Sequence, residues 1–301
     1  MTGEALHEGE GTSPSEAGFF ACGAASARRE IAYRRRSAPV DAEPAPGIFW
    51  LGGFRSNMRG EKASALDRLA AEMGCAFLRF DYSGHGESSG RFEDGTIGIW
   101  LEESLAVLRG LTSGPQVVVG SSMGAWIALL VAKAFAASGE SDRLKGLVLV
   151  APAVDFTEKL IWEFIPPRAR KALDKNGLWL RPSPYAPDPD PITKTLIEEG
   201  RAHLLLGGVI RTFCPVHILQ GMADAIVPWR HAMSLAEHLA GDPVSVTLVK
   251  DGDHRLSREE DLARLRAAVE AMLKEASTGA ARPVQPSFDF DAESATSESL
   301  D

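Results

Sequence analysis

From residue 48 onward, two hydrophobic rhythms alternate along the chain. The first is a series of short continuous apolar runs, several closed by Gly or Asp. These are Ile48-Phe49-Trp50-Leu51, Ala76-Phe77-Leu78-Arg79-Phe80, Val117-Val118-Val119, Gly146-Leu147-Val148-Leu149-Val150, Val216-His217-Ile218-Leu219 and Val244-Ser245-Val246-Thr247-Leu248-Val249. Runs of this length and composition predict buried strands. The second rhythm places apolar residues at helical spacing over 61–73, 96–111, 123–137 and 257–275, the last with Leu262, Leu265, Val269 and Leu273 on one face. Strands without polar alternation, separated by helices, predict an α/β fold: a mostly parallel sheet flanked by helices.

One segment breaks the rhythm. Between the fourth and fifth predicted strands lie about 60 residues, longer than an ordinary crossover. This insertion, 154–213, holds Leu160, Ile161, Trp162, Phe164, Ile165, Leu178, Trp179 and Leu180 and a proline-rich stretch from Pro182 to Pro191. Leaving the sheet at the C-terminal end of a strand, it is expected to form a lid or cap. Residues 1–26, rich in Gly, Ser, Ala and Glu, are expected to be a disordered leader. Residues 277–301, acidic and serine-rich toward the end, are expected to be a disordered tail. The folded domain then spans 27–276, and no internal repeat is visible.

Composition narrows the partners. The chain has 301 residues, 45% of them hydrophobic and 24% charged, and a formal net charge of −9. That sign argues against nucleic acid, which needs a clustered basic surface. The one basic run, Arg34-Arg35-Arg36, fits a solvated strand edge. Cys22, Cys75 and Cys214 have no metal-ligand spacing and read as buried free thiols in a reducing compartment. No apolar run reaches the roughly 18 residues of a membrane helix. The N-terminal stretch carries Glu4, Glu8 and Glu10 and lacks the features of a signal or transit peptide. A cytoplasmic protein is the expectation.

The candidate chemistry centres on Gly120-Ser121-Ser122-Met123-Gly124, a G-x-S-x-G pattern between a predicted strand and a predicted helix. A serine on so sharp a turn projects its hydroxyl from the sheet, and small residues two before and two after avoid a clash. Ser122 is therefore the candidate nucleophile. A serine hydroxyl needs a base and a group that orients the base, and in this architecture they follow in the order acid, then His. Asp224, in Gln220-Gly221-Met222-Ala223-Asp224-Ala225-Ile226-Val227-Pro228, lies just past the fifth strand and is the candidate acid. His254, in Lys250-Asp251-Gly252-Asp253-His254-Arg255, lies just past the sixth and is the candidate base. Of the seven histidines only His254 meets both order and location, and the neighbouring Asp251 and Asp253 are expected to shape its loop. The oxyanion hole is expected from the backbone N–H of Met123 and that of Phe54, in the Gly-Gly loop after the first strand.

Taken together, Gly52-Gly53-Phe54, Asp81-Tyr82-Ser83-Gly84-His85-Gly86-Glu87-Ser88, Gly120 to Gly124, Asp224-Ala225-Ile226-Val227-Pro228 and Asp253-His254 resemble the α/β-hydrolase fold family over Ile31 to Leu273. Further details are similar to its mitochondrial palmitoyl-protein thioesterase and acyl-glucuronide esterase branch: Phe54-x-Ser56-x-Met58-x-Gly60-x-Lys62-Ala63, Arg79-Phe80-Asp81-Tyr82-Ser83-Gly84, Gly124-x-Trp126, Pro228-Trp229 and Asp253-His254-Arg255. The oxyanion loop departs from the common pattern, with Leu51-Gly52-Gly53 in place of His-Gly or Pro-Gly. The resemblance implies a serine hydrolase of acyl thioesters or activated esters, with Ser122, Asp224 and His254 as nucleophile, orienting acid and base.

The expectation is thus hydrolysis of a small-molecule acyl ester or an acylated protein through an acyl-enzyme, without metal or organic cofactor. Two alternatives stand beside it: a general carboxylesterase, and a non-catalytic binding protein on the same fold. Haloalkane dehalogenases and epoxide hydrolases carry Asp at the elbow, where this chain has Ser122.

Overall fold

The apolar runs become strands because each finds cover on both faces. The structure, a computed structural model, describes residues 15–24, 28–40, 45–183, 187–239 and 241–278. Among these, the chain forms β1 (Glu16–Cys22), β2 (Arg29–Arg36), β3 (Gly47–Leu51), α1 (Glu61–Met73), β4 (Phe77–Phe80), α2 (Ile97–Leu111), β5 (Gln116–Ser121), α3 (Met123–Ser138) and β6 (Leu144–Val150). It continues with α4 (Pro167–Asn176), β7 (Leu178–Arg181), β8 (Asp190–Thr193), α5 (Lys194–Gly200), β9 (Val216–Gly221), α6 (Trp229–His238), β10 (Val244–Val249) and α7 (Glu259–Thr278).

Eight strands make one sheet in the order β1-β2-β4-β3-β5-β6-β9-β10. β2 runs antiparallel to both neighbours, and every other pair is parallel. The chain passes from β3 to β4 on one side, then returns past β3 to β5. Such a reversal leaves a crevice at the carboxyl ends of β3 and β5.

Two cores cover the sheet. On one face Phe49, Val118 and Leu149 pack against Trp100 of α2 and Trp126 and Phe135 of α3. On the other, Ile48, Val117, Val119 and Val148 meet Leu66 and Leu69 of α1 and Leu265 and Val269 of α7. Every residue of β3, β4 and β5 is buried, which accounts for their apolar runs, and the buried Arg79 of β4 donates to Asp67 at 3.1 Å. Cys22, Cys75 and Cys214 are all buried and, among the described residues, in no disulfide.

Three expectations need correction. The leader read across 1–26 contains β1, which pairs with β2 from Glu16↔Arg35 to Cys22↔Arg29. Its small and aromatic residues are held by that ladder, and residues 1–14 lie outside the described residues. The arginine run is also not an edge: β1 covers β2, with Arg35 bonded to Glu16 at 2.6 Å and Arg36 to Asp67 at 2.8 Å. At the other end α7 reaches Thr278, two residues beyond the predicted limit, and residues 279–301 lie outside the described residues.

The insertion 154–213 is a chain of short elements. A π-helical turn (Thr157–Ile161) and a 3₁₀ turn (Trp162–Phe164) lead into α4, the β7–β8 hairpin and α5. Its neck is tied shut. The buried Asp155 carboxylate accepts from Leu205 N–H at 2.9 Å and Leu206 N–H at 2.8 Å, and the Trp126 indole N–H donates to the His203 carbonyl at 3.1 Å.

Candidate active site

Ser122 occupies a strained turn between β5 and α3, at φ 56° and ψ −116°. A non-glycine residue rarely adopts this conformation, and the surroundings enforce it. The Ser122 N–H donates to Val150 O at 2.8 Å, and the Ser122 carbonyl accepts from Ala125 N–H at 3.0 Å. Gly120 and Gly124 are required by space. A Cβ on Gly120 would come within 2.4 Å of Gly124 O, and one on Gly124 within 2.2 Å of Leu51 O. The elbow therefore packs directly on the end of β3.

The turns after β9 and β10 bring the partners to this elbow. His254 Nε2 lies 3.1 Å from Ser122 Oγ, and His254 Nδ1 lies 2.8 Å from Asp224 Oδ2. With Nδ1–H donating to the carboxylate, Nε2 is left to accept from the serine hydroxyl. Asp224 is itself held: Oδ1 accepts from Ile226 N–H at 2.8 Å and Val227 N–H at 2.9 Å, and Oδ2 accepts from the Gln220 side-chain amide at 3.2 Å. All three sequence-predicted residues meet. Asp251 instead pairs with Arg258 at 2.6 Å, and Asp253 accepts the Arg255 and Leu256 amides at 3.0 Å, turning the loop that carries His254.

The loop after β3 passes close to the elbow. A Cβ on Gly53 would stand 3.2 Å from Ser121 O and 3.3 Å from Ser122 Cβ, so glycine permits the approach. Phe54 and Met123 both line the same cavity as Ser122 and His254, about 550 Å³ in volume. Phe54 N–H has no acceptor among the described residues, and Met123 N–H opens α3, where the first-turn amides lack intrahelical acceptors. The insertion adds Phe156, Leu160 and Ile161 to the wall, with Arg181 and Asp190 from its hairpin. Arg55 ties the two parts, donating to the Pro189 carbonyl at 2.8 Å.

Several groups here lie within stretches singled out in the sequence, which assigns them no role. Gln220 is a polar residue at the end of an otherwise apolar strand, and that mismatch was its signal. Lys62 lines the cavity, where burial and then the Arg255 charge push its pKa down to about 8. His85 is buried in the turn after β4, and desolvation lowers its pKa to about 4, leaving it neutral. Among the described residues no cluster of three or more His, Cys, Asp or Glu side chains could hold a metal, and no helix is long and apolar enough to cross a membrane.

Relatives share this architecture. The profile of the alpha/beta hydrolase family matches residues 44–268. The palmitoyl-protein thioesterase ABHD10, mitochondrial, of Bos taurus is 35% identical over 251 residues, covering 82% of this chain and 78% of its own. Among solved structures, a protein from Agrobacterium vitis S4 has TM-score 0.83 and 48% identity, covering 87% of this chain and 100% of its own. Alpha/beta hydrolase domain-containing protein 10 from mouse has TM-score 0.75 and 32% identity over 86% of this chain and 99% of its own. The cytoplasmic expectation is corrected by these relatives, since the curated ones from five mammals are all named mitochondrial. An organelle address is read by receptors from a short segment outside the folded domain, and Glu4, Glu8 and Glu10 lie outside the described residues. By its profile match, its sheet topology and its relatives, the chain belongs to the α/β hydrolase family.

Proposed function

We propose that the protein is a serine hydrolase that cleaves acyl thioesters or esters through an acyl-enzyme on Ser122. The observation that carries this reading is the unbroken hydrogen-bonded series Ser122–His254–Asp224 at the wall of a cavity of about 550 Å³. His254 takes the hydroxyl proton as Ser122 attacks the carbonyl, and Asp224 stabilises the imidazolium that forms. The developing oxyanion is held by the N–H groups of Phe54 and Met123. His254 then protonates the departing thiol or alcohol, and the same imidazole activates the water that releases the acid.

Phe54, Phe156, Leu160 and Ile161 give one wall an apolar character suited to an acyl chain, while Arg55, Lys62 and Arg181 offer polar contacts to a leaving group. The insertion 154–213 acts as a lid in this reading. The palmitoyl-protein thioesterase named among the relatives supports a long acyl chain and a thiol leaving group.

The test pairs wild type with Ser122→Ala on p-nitrophenyl esters and on a fluorogenic palmitoyl-thioester peptide. Thioester turnover present in wild type and lost in the variant supports the proposal. Turnover of simple esters alone reduces it to a carboxylesterase. Equal rates in the two proteins refute the serine mechanism.

A further inference from the structure

His85 is a buried, neutral histidine that the proposed reaction does not use. Its Nδ1–H donates to the Ser83 carbonyl at 3.1 Å, and its Nε2 accepts from the Arg55 backbone N–H at 3.2 Å. It sits in an aromatic nest, with ring centroids 4.9 Å from Phe92, 5.3 Å from Trp100 and 5.6 Å from Tyr82. Phe54 packs its ring into the same nest, 4.8 Å from Phe92. The histidine thus presents a fixed acceptor to the residue that follows Phe54.

Ser56 does the complementary thing on the other side. The Gly53 carbonyl accepts from Ser56 Oγ–H at 2.6 Å and from Ser56 N–H at 3.1 Å. That carbonyl belongs to the same peptide plane as the Phe54 N–H. In a trans peptide the C=O and N–H point opposite ways, so fixing one aims the other. The two planes that meet at Phe54 Cα are therefore both pinned, one by its carbonyl and one by its amide. Arg55 also holds a left-handed backbone at φ 57°, a conformation that a non-glycine residue keeps only under such constraint. The Phe54 N–H between the pins lacks an acceptor among the described residues.

We infer that His85 and Ser56 are positioning residues that aim the Phe54 N–H at the developing oxyanion, by clamping the peptide planes on either side of it. The inference rests on the acyl-enzyme reading above. A donor fixed in advance stabilises the transition state more than the bound substrate, so loosening it lowers kcat and leaves KM nearly unchanged.

The experiment uses full-length His85→Phe, His85→Gln and Ser56→Ala. Phe keeps ring volume in the aromatic nest and removes the acceptor, whereas Gln restores an acceptor near the place of Nε2. Expected are a kcat loss of about tenfold to a hundredfold in His85→Phe, and about tenfold in Ser56→Ala. KM should stay within about threefold in both, because the donor acts on the transition state. His85→Gln should recover most of the loss. Inhibition by an alkyl trifluoromethyl ketone, which forms a tetrahedral adduct, should weaken in proportion to kcat/KM, while inhibition by the free fatty acid should not change. Wild-type kcat in both His85→Phe and Ser56→Ala overturns the inference, as does lost activity with unchanged ketone inhibition. Should His85→Phe fail to fold, Ser56→Ala in the exposed loop carries the test alone. Equal rates for wild type and Ser122→Ala would instead sink the acyl-enzyme reading, so the two failures are distinguishable.

Discussion

Replacing Asp224 by Asn changes one atom and reverses a hydrogen bond. The buried carboxylate has its acceptors fully committed: Oδ1 to the Ile226 and Val227 amides, Oδ2 to His254 Nδ1 and Gln220 Nε2. An asparagine keeps one acceptor oxygen. Turned toward the two amides, it leaves its NH₂ facing His254 Nδ1 and the Gln220 amide. Nδ1 must then accept, the ring proton moves to Nε2, and the face toward Ser122 becomes a donor that cannot take the hydroxyl proton. Turned the other way, the NH₂ opposes two backbone donors. The first arrangement costs fewer contacts and gives the wrong tautomer. Loss of the base should lower kcat by about 10³ to 10⁴, or roughly 4–5.5 kcal/mol of transition-state stabilisation. The donor–donor contact with Gln220 should also cost about 1–3 kcal/mol of stability. Steady-state kinetics on a p-nitrophenyl ester, with thermal unfolding followed by circular dichroism, measures both. A folded Asp224→Asn protein with kcat within tenfold of wild type would refute the reasoning.

Gly124→Ala places a Cβ 2.2 Å from the Leu51 carbonyl, so β3 and α3 must separate; a loss of about 3 kcal/mol or more is expected, and an unchanged melting temperature would contradict it. Asp155→Ala strips the acceptor from Leu205 N–H and Leu206 N–H. It should open the neck of the insertion, so that limited proteolysis cuts within 154–213 before the sheet; identical digestion of wild type and variant would count against this. Lys62 releases its proton near pH 8 when folded, against its ordinary 10.5. Between these values the unfolded chain binds more protons, so this group makes stability rise with pH from about 8 to 10.5. Lys62→Gln should flatten that rise in melting temperature, and parallel curves would exclude the effect.

The readability of the chain followed burial. β3, β5, β6 and β9 lie inside the sheet with helices on both faces, so apolar runs alone revealed them. β1 has no such run: Phe19 is 63% exposed, and Gly18 lies so close to Tyr33 of β2 that a Cβ would be 2.7 Å from its hydroxyl. A strand held by pairing with β2 has no local signature. The β7–β8 hairpin was hidden for a related reason, since it forms a separate two-stranded sheet whose second strand contains Pro191. At the site, Ser122, Asp224 and His254 could be found because each occupies a fixed place relative to a strand end. Gln220, Ser56 and His85 stand in the same stretches, but what each one does could not be read there. Their roles depend on which backbone group lies opposite, as when His85 reaches an amide 30 residues away.

The three buried thiols have a use of another kind. Cys22 ends the outer strand β1, Cys75 lies beneath α1 at the entry to β4, and Cys214 sits where the insertion rejoins the sheet. Each is shielded from solvent in the native state, so alkylation requires an opening, and its rate under native conditions measures the free energy of that opening. The protein therefore carries three unengineered clocks, one on the outer strand, one between α1 and β4 and one at the insertion hinge. Wild-type protein alone can rank the order in which those regions come apart.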